Sequence, residues 1–206
     1  MALGLEQLRL RPAVERSGPE TVIVSGLVAA GAVAATALVI YGAYYGLITA
    51  LILRSSFFSL IAASGLLYLG LKAKSGVVRI LCYALALFAP IPGFHLWQSY
   101  IDIVMRGAMA TPPDLWIFVG LMAVILLLAR LTLGWTLVIL VVLSLAYAWF
   151  GYLIPGKYGH GGYDLHRLTS TLMLSTEGVY GVPMGVAVEY IFLFALLGGL
   201  LMKIGT

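Results

Sequence analysis

Charge is scarce in this chain. Of 206 residues, 12 are Lys or Arg and 8 are Asp or Glu; 62% are hydrophobic and the mean hydropathy is +1.06. A soluble domain of this length carries about 25% charged residues, against 10% here. That shortfall excludes an ordinary water-soluble globule. Cysteine is nearly absent as well. Cys82 stands alone in an apolar run, and one thiol makes neither an intrachain disulfide nor a CxxC metal site. Histidine is confined to His95, His160 and His166. Only His95 falls within an apolar run, so bis-histidine haem ligation inside this chain is excluded. Short segments of alternating hydrophobicity, the mark of a transmembrane β-barrel, are missing too.

What the chain has instead is long apolar runs. Several approach the roughly 20 residues needed to cross a bilayer as a helix. The 24 glycines suit helices packed closely in lipid. The fold class that follows is an all-α integral membrane bundle of about six transmembrane helices. A net charge of +4 and a pI near 9.2 do not point to nucleic acid. The basic residues are scattered at the ends of the apolar runs, where topology signals sit.

Residues 1–20 form a polar leader, with Arg9, Arg11 and Arg16 set against Glu6, Glu15 and Glu20. The uncharged run behind it is too long for a signal-peptide core, so it reads as an uncleaved anchor. The first helix is predicted over 21–41, closed by an aromatic belt of Tyr41, Tyr44 and Tyr45. The second spans about 56–71 and starts before Arg54, whose side chain is expected to snorkel outward. Lys72, Lys74 and Arg79 mark a basic turn. The third helix, 77–97, should kink or end at Pro90-Ile91-Pro92-Gly93. Residues 98–114 read as a polar interval in which Asp102 and Arg106, four apart, can pair. Pro112-Pro113-Asp114 signals a new helix start. Helices over 115–129 and 135–153 flank a very short turn at 130–134, which forces an antiparallel hairpin.

The longest polar interval inside the hydrophobic body follows, between Pro155 and Pro183. Leu165, Leu168, Leu172 and Met173 recur within it at helical spacing. They predict a short periplasmic interfacial helix within 161–176, between helices 5 and 6. The sixth helix runs over 183–202. Counting Lys and Arg with the N-terminus inside places Arg9, Arg11, Arg16, Lys72, Lys74, Arg79, Arg130 and Lys203 inside. Arg54, Arg106, Lys157 and Arg167 fall outside. Eight against four favours an N-terminus in the cytoplasm. The chain closes on MKIGT directly after an apolar run, which suggests that another polypeptide, or more of this one, continues it.

Few residues invite a chemical role. Glu189 lies six residues into the sixth helix, about 9 Å along it. A carboxylate at that depth is costly and should face protein or water. It is either a functional contact or proton-sensitive site, or a side chain that snorkels or bonds a nearby tyrosine. Lys157, His160, Arg167 and Glu177 stand on the outer interval, and Lys157 and Arg167 are the candidates for docking a soluble partner. His160, Asp164 and His166 lack a fourth ligand and make a weak metal signal. Arg130 reads as a topology anchor at the inner surface. Gly178, Gly181 and Pro183 shape the approach to the sixth helix. No catalytic set and no metal site emerges.

Four segments in fixed order carry a resemblance: MRGAMATPPDLW at 105–116, AWFGYLIPGKYGHGGYDLHRL at 148–168, STEGVYGVPMGV at 175–186 and EYIFLFALLGGLL at 189–201. Together they resemble the fused permease subunit of tripartite ATP-independent periplasmic (TRAP) transporters of the TAXI type. Over 1–97 only the hydrophobic pattern agrees. The resemblance implies a cytoplasmic segment at 1–20, a four-helix small-subunit-like region at 21–134 and a connecting helix at 135–156. A periplasmic joint and the first helix of the large-subunit-like region follow at 157–206. It also implies the bacterial or archaeal cytoplasmic membrane and a gradient-driven, usually sodium-driven, uptake of small organic acids. A periplasmic binding protein would deliver the substrate. The substrate and sodium sites belong to a large transport domain beyond this chain, and no cofactor is implied. Glu189 departs from the family pattern, which has a small or hydroxyl residue there. The leading expectation is a non-catalytic membrane scaffold. The alternatives are a membrane-anchored enzyme or electron-transfer subunit, and an assembly protein without transport.

Overall fold

The computed structural model describes residues 19–46 and 48–205. Arg9, Arg11, Arg16, Glu6 and Glu15 of the leader lie outside the described residues. Nine α-helices and no strand are found among the described residues. They build six helices long and apolar enough to cross a membrane, which makes the chain an all-α, multi-pass membrane bundle in lipid contact.

Helix α1 (Pro19–Tyr45) and helix α2 (Ala50–Lys72) form the first two spans. At 1.5 Å per residue α1 is about 40 Å long, more than the roughly 30 Å of hydrocarbon. It ends in the tyrosine belt, with Tyr41 and Tyr44 each against the Tyr45 ring at 4.6 and 4.9 Å. Helix α2 is the centre of the bundle. It packs on α1, on α3 (Gly76–Phe88), on α4 (Pro90–Met105) and on α5 (Pro112–Thr132). Small residues let it do so, with Ser55, Ser59, Ala62 and Gly70 all buried along it.

The prolines at 90 and 92 interrupt the third span at Ala89 without ending it. Ala89 keeps helical geometry and its N–H reaches Leu85 O at 2.8 Å, so α3 and α4 continue as one apolar run over 76–105. Ser59 Oγ of α2 accepts the Gly93 N–H at 3.2 Å. A Cβ at Gly93 would lie 2.6 Å from that hydroxyl and 3.1 Å from the Ser55 carbonyl. Gly93→Ala is therefore expected to destabilise by about 1–3 kcal/mol, since backbone cannot yield as a flexible side chain does. A lowered unfolding midpoint in detergent checks it; an unchanged midpoint contradicts this packing.

Helix α5 turns into α6 (Trp135–Phe150) through Leu133 and Gly134. Both amides reach Ala129 O, and Gly134 takes φ 90°, a conformation that favours glycine. The expected hairpin is present. A 3-10 turn (Gly151–Leu153) ends the fifth span. The chain then folds back, with Tyr163 N–H on Ala148 O and His160 N–H on Gly151 O. Helix α7 (Leu165–Leu172) follows, capped by Asp164, which accepts from Arg167 N–H at 3.0 Å. The last span joins α8 (Val182–Val186), a π-helical turn (Ala187–Ile191) and α9 (Phe192–Ile204).

Several expectations need correction. The third span does not stop at residue 97; α4 continues to Met105, because the side chains past Trp97 still pack on the bundle through Tyr100 and Ile103. Residues 98–114 are thus a helix end and a short turn rather than a polar interval. The helix expected within 161–176 is present at Leu165–Leu172, but it does not simply lie on the interface. Leu168, Met173 and Leu174 plug the end of the bundle beside Leu96, Ile103 and Phe118. Helices α6 and α9 differ from the rest, for neither buries a residue within the chain.

Candidate functional site

Two polar joints stand at one end of the bundle, where α1 and α4 finish and α2, α5 and α8 begin. The first is built on Asp114. Thr111 is the N-cap of α5 and Asp114 its third residue, so Thr111-Pro-Pro-Asp114 is a capping box with proline in the first turn. The carboxylate is fully buried. Its Oδ2 accepts from Thr111 N–H, Thr111 Oγ1 and Arg106 Nη2, each at 2.7 Å, and its Oδ1 lies 2.6 Å from His95 Nε2. Arg106 Nη1 also donates to Thr111 Oγ1 at 3.2 Å. A cap residue thereby ties the end of α4 to the start of α5. The expected Asp102–Arg106 pair is replaced by Arg106–Asp114. Asp114 already accepts from the Thr111 backbone, so the arginine completes a preformed anion site. His95 is a partner of that carboxylate.

The second joint is built on Arg54. This side chain does not snorkel outward; it turns into the protein and is 16% exposed. Its Nη1 donates to Tyr180 O and Gly181 O, both at 3.2 Å, and its Nη2 reaches Glu189 Oε1 at 3.4 Å. The guanidinium lies flat against Gly185, where any Cβ would collide with it. Gly181 O also accepts the Gly185 N–H at 3.1 Å as the first bond of α8, whereas Tyr180 O receives no backbone donor and depends on the arginine. Glu189 therefore has an arginine partner rather than a tyrosine, and it remains 46% exposed. It sits in the π-turn, a feature frequent at functional sites. Tyr180 fills the bundle end completely, against Phe58 at 6.2 Å between ring centres. Burial pushes its phenol pKa up, so it stays neutral at physiological pH.

The joint between Pro155 and Pro183 is locked to this end. Ser170 Oγ accepts the Ala110 N–H at 3.1 Å, and His166 Nδ1 lies 3.2 Å from Ala110 O. His160 is held between the rings of Tyr147 and Tyr163, at 4.9 and 5.2 Å. Asp164 is committed to its cap. The three candidate ligands are thus spread over separate tasks, and no three His, Cys, Asp or Glu are grouped for a metal among the described residues. Lys157 lies over the Tyr158 ring at 5.0 Å and Arg167 over Tyr163 at 4.7 Å. A polar groove of about 600 Å³ separates residues 107–110 from α7, with Arg167, Thr171 and Glu177 on its wall. Arg130 caps the opposite end of α5 and stacks 4.3 Å from the Trp135 ring.

These joints brace helices. Within them each cation faces a carboxylate, a carbonyl or a ring. The class they define is a multi-pass α-helical membrane protein braced at one end by buried charge. Comparison with known protein families, with curated proteins and with solved structures finds no match for this chain.

Proposed function

We propose that the chain is the membrane scaffold portion of an ion-gradient-driven secondary transporter. In this reading it imports small organic acids handed over by a periplasmic binding protein, with sodium as the coupling ion. It resides in a bacterial or archaeal cytoplasmic membrane with its N-terminus in the cytoplasm. The TRAP-like segments support the assignment. One structural observation carries it. The first four spans and the outer joint are bolted together, whereas α6 and α9 bury nothing within the chain. A rigid frame with most of α6 and α9 left uncovered, the last span being tied to it only through its first turns, suits a stationary support beside a larger moving domain. Lys157, Arg167 and Glu177 offer the binding protein a charged surface on the outer joint.

Affinity purification of the chain from its native membranes in mild detergent tests this reading. A large hydrophobic, multi-helix partner should accompany it. Charge reversal of Lys157 and Arg167 should then weaken uptake when the binding protein is scarce and leave it unchanged when the binding protein is in excess. Purification with a coloured cofactor and no such partner would refute the scaffold reading.

A further inference from the structure

The two ends of the bundle differ in charge. Among the described residues, the end that holds the start of α1 and the α5–α6 turn carries Lys72, Lys74, Arg79, Arg130 and Lys203 against Glu20, five cations to one acid and a net +4. The opposite end carries Arg54, Arg106, Lys157 and Arg167 against Asp102, Asp114, Asp164, Glu177 and Glu189, four to five and a net −1. Glu20 is also already engaged, by Arg79 at 3.8 Å and by the Tyr83 hydroxyl at 3.0 Å. Lys72, Lys74 and Arg130 have no carboxylate partner among the described residues. The negative ends of α2 and α5 offset only about half a charge each, and Lys74 lies beyond its helix.

The packing brings these cations to one place. Leu69 near the end of α2, Val78 in the first turn of α3, and Leu127 and Leu131 near the end of α5 share one core cluster. Lys72 Nζ sits 4.2 Å above the Tyr68 ring and Arg130 4.3 Å from the Trp135 ring, with both rings exposed. Such rings belong at headgroup depth, so the cations beside them are held where lipid phosphates lie. We propose that Lys72, Lys74 and Arg130, with Tyr68 and Trp135, form a binding site for the phosphate of an anionic phospholipid headgroup. Its occupant is the surrounding bilayer, and the site is independent of the transport reading.

Tryptophan quenching tests it. One protein keeps only Trp135 (Trp97→Phe, Trp116→Phe, Trp149→Phe), and a second keeps only Trp149 (Trp97→Phe, Trp116→Phe, Trp135→Phe). Both are placed in phosphatidylcholine vesicles containing either brominated phosphatidylglycerol or brominated phosphatidylcholine. The expected result is stronger quenching of Trp135 by the anionic lipid and no lipid preference at Trp149. Lys72→Gln, Lys74→Gln and Arg130→Gln together should abolish the preference, at roughly fivefold in association per charge removed at low salt. Lys157→Gln with Arg167→Gln should leave it intact. Equal quenching of Trp135 by the two lipids overturns the site, and so does an equal preference at Trp149. Inorganic phosphate that displaces the brominated phosphatidylglycerol at matched concentration in detergent would also overturn it, as a free-anion site. If the triple variant does not fold, the comparison of Trp135 with Trp149 decides alone.

Discussion

Asp114→Ala is expected to be among the most destabilising single changes in the chain, at about 2–4 kcal/mol. Removing one partner of a buried ion pair commonly costs 3–5 kcal/mol, because the remaining charge is left unpaired. Here Arg106 and His95 keep 27% and 20% exposure, so both can partly turn to water, which lowers the figure. The Thr111 amide cannot turn away, since it is fixed at the start of α5, and losing a cap costs about 1 kcal/mol by itself. Asp114→Asn should cost less, because the amide keeps the shape and one acceptor while losing the charge that holds Arg106. Reversible unfolding in mixed micelles measures both variants. Combining Asp114→Ala with Arg106→Ala gives the decisive comparison: the double change should cost less than the two single changes summed. Strict additivity, or a loss below about 1 kcal/mol, would show that the carboxylate is not a brace.

Much of the fold was legible because lipid simplifies the code. Spans of roughly 20 apolar residues announce themselves, and Gly134 after Arg130 left only a tight hairpin. The tyrosine belt at 41–45 and the Pro90–Gly93 interruption were legible for the same local reasons. The joints were harder. Asp102 and Arg106 satisfy the i,i+4 rule, yet a helix rule cannot see that α4 ends at Met105 and delivers Arg106 to the next helix. The signal that would have found the true partner is Thr111-x-x-Asp114, a capping box whose carboxylate must lie at a helix start beside the preceding chain. Arg54 was read as snorkelling because a lone cation near a span end usually does. Only the fold shows that two carbonyls, 126 and 127 residues away, lie within its reach, the Tyr180 carbonyl with no backbone donor. Tyr180 has no local signature at all; its burial follows from α7 and the segment after it closing the bundle end.

Arg54→Met and Glu189→Gln separate the two halves of the second joint, and their effects should differ sharply. Arg54 holds Tyr180 O and Gly181 O at the start of the last span; Gly181 O keeps the Gly185 N–H at 3.1 Å without it, so the carbonyl left without a donor is Tyr180 O, at a cost of about 1–3 kcal/mol. The guanidinium packing on Gly185 is lost with it and partial access to water at this end tempers the cost, so Arg54→Met is expected to lose about 1–3 kcal/mol. Glu189 is half exposed and 3.4 Å from its partner. Such a pair contributes no more than about 1 kcal/mol, so Glu189→Gln should be nearly silent in stability. Gly185→Ala should behave like the arginine variant, since its methyl would occupy the space of the guanidinium. Hydrogen exchange resolves the question locally. Amides 182–186 should open faster in Arg54→Met and Gly185→Ala and keep their protection in Glu189→Gln. Equal loosening in Glu189→Gln would mean that the ion pair, not the carbonyl clamp, anchors the last span. A normal unfolding midpoint for Glu189→Gln together with altered uptake would identify the carboxylate as functional, because its small structural share could not account for that change.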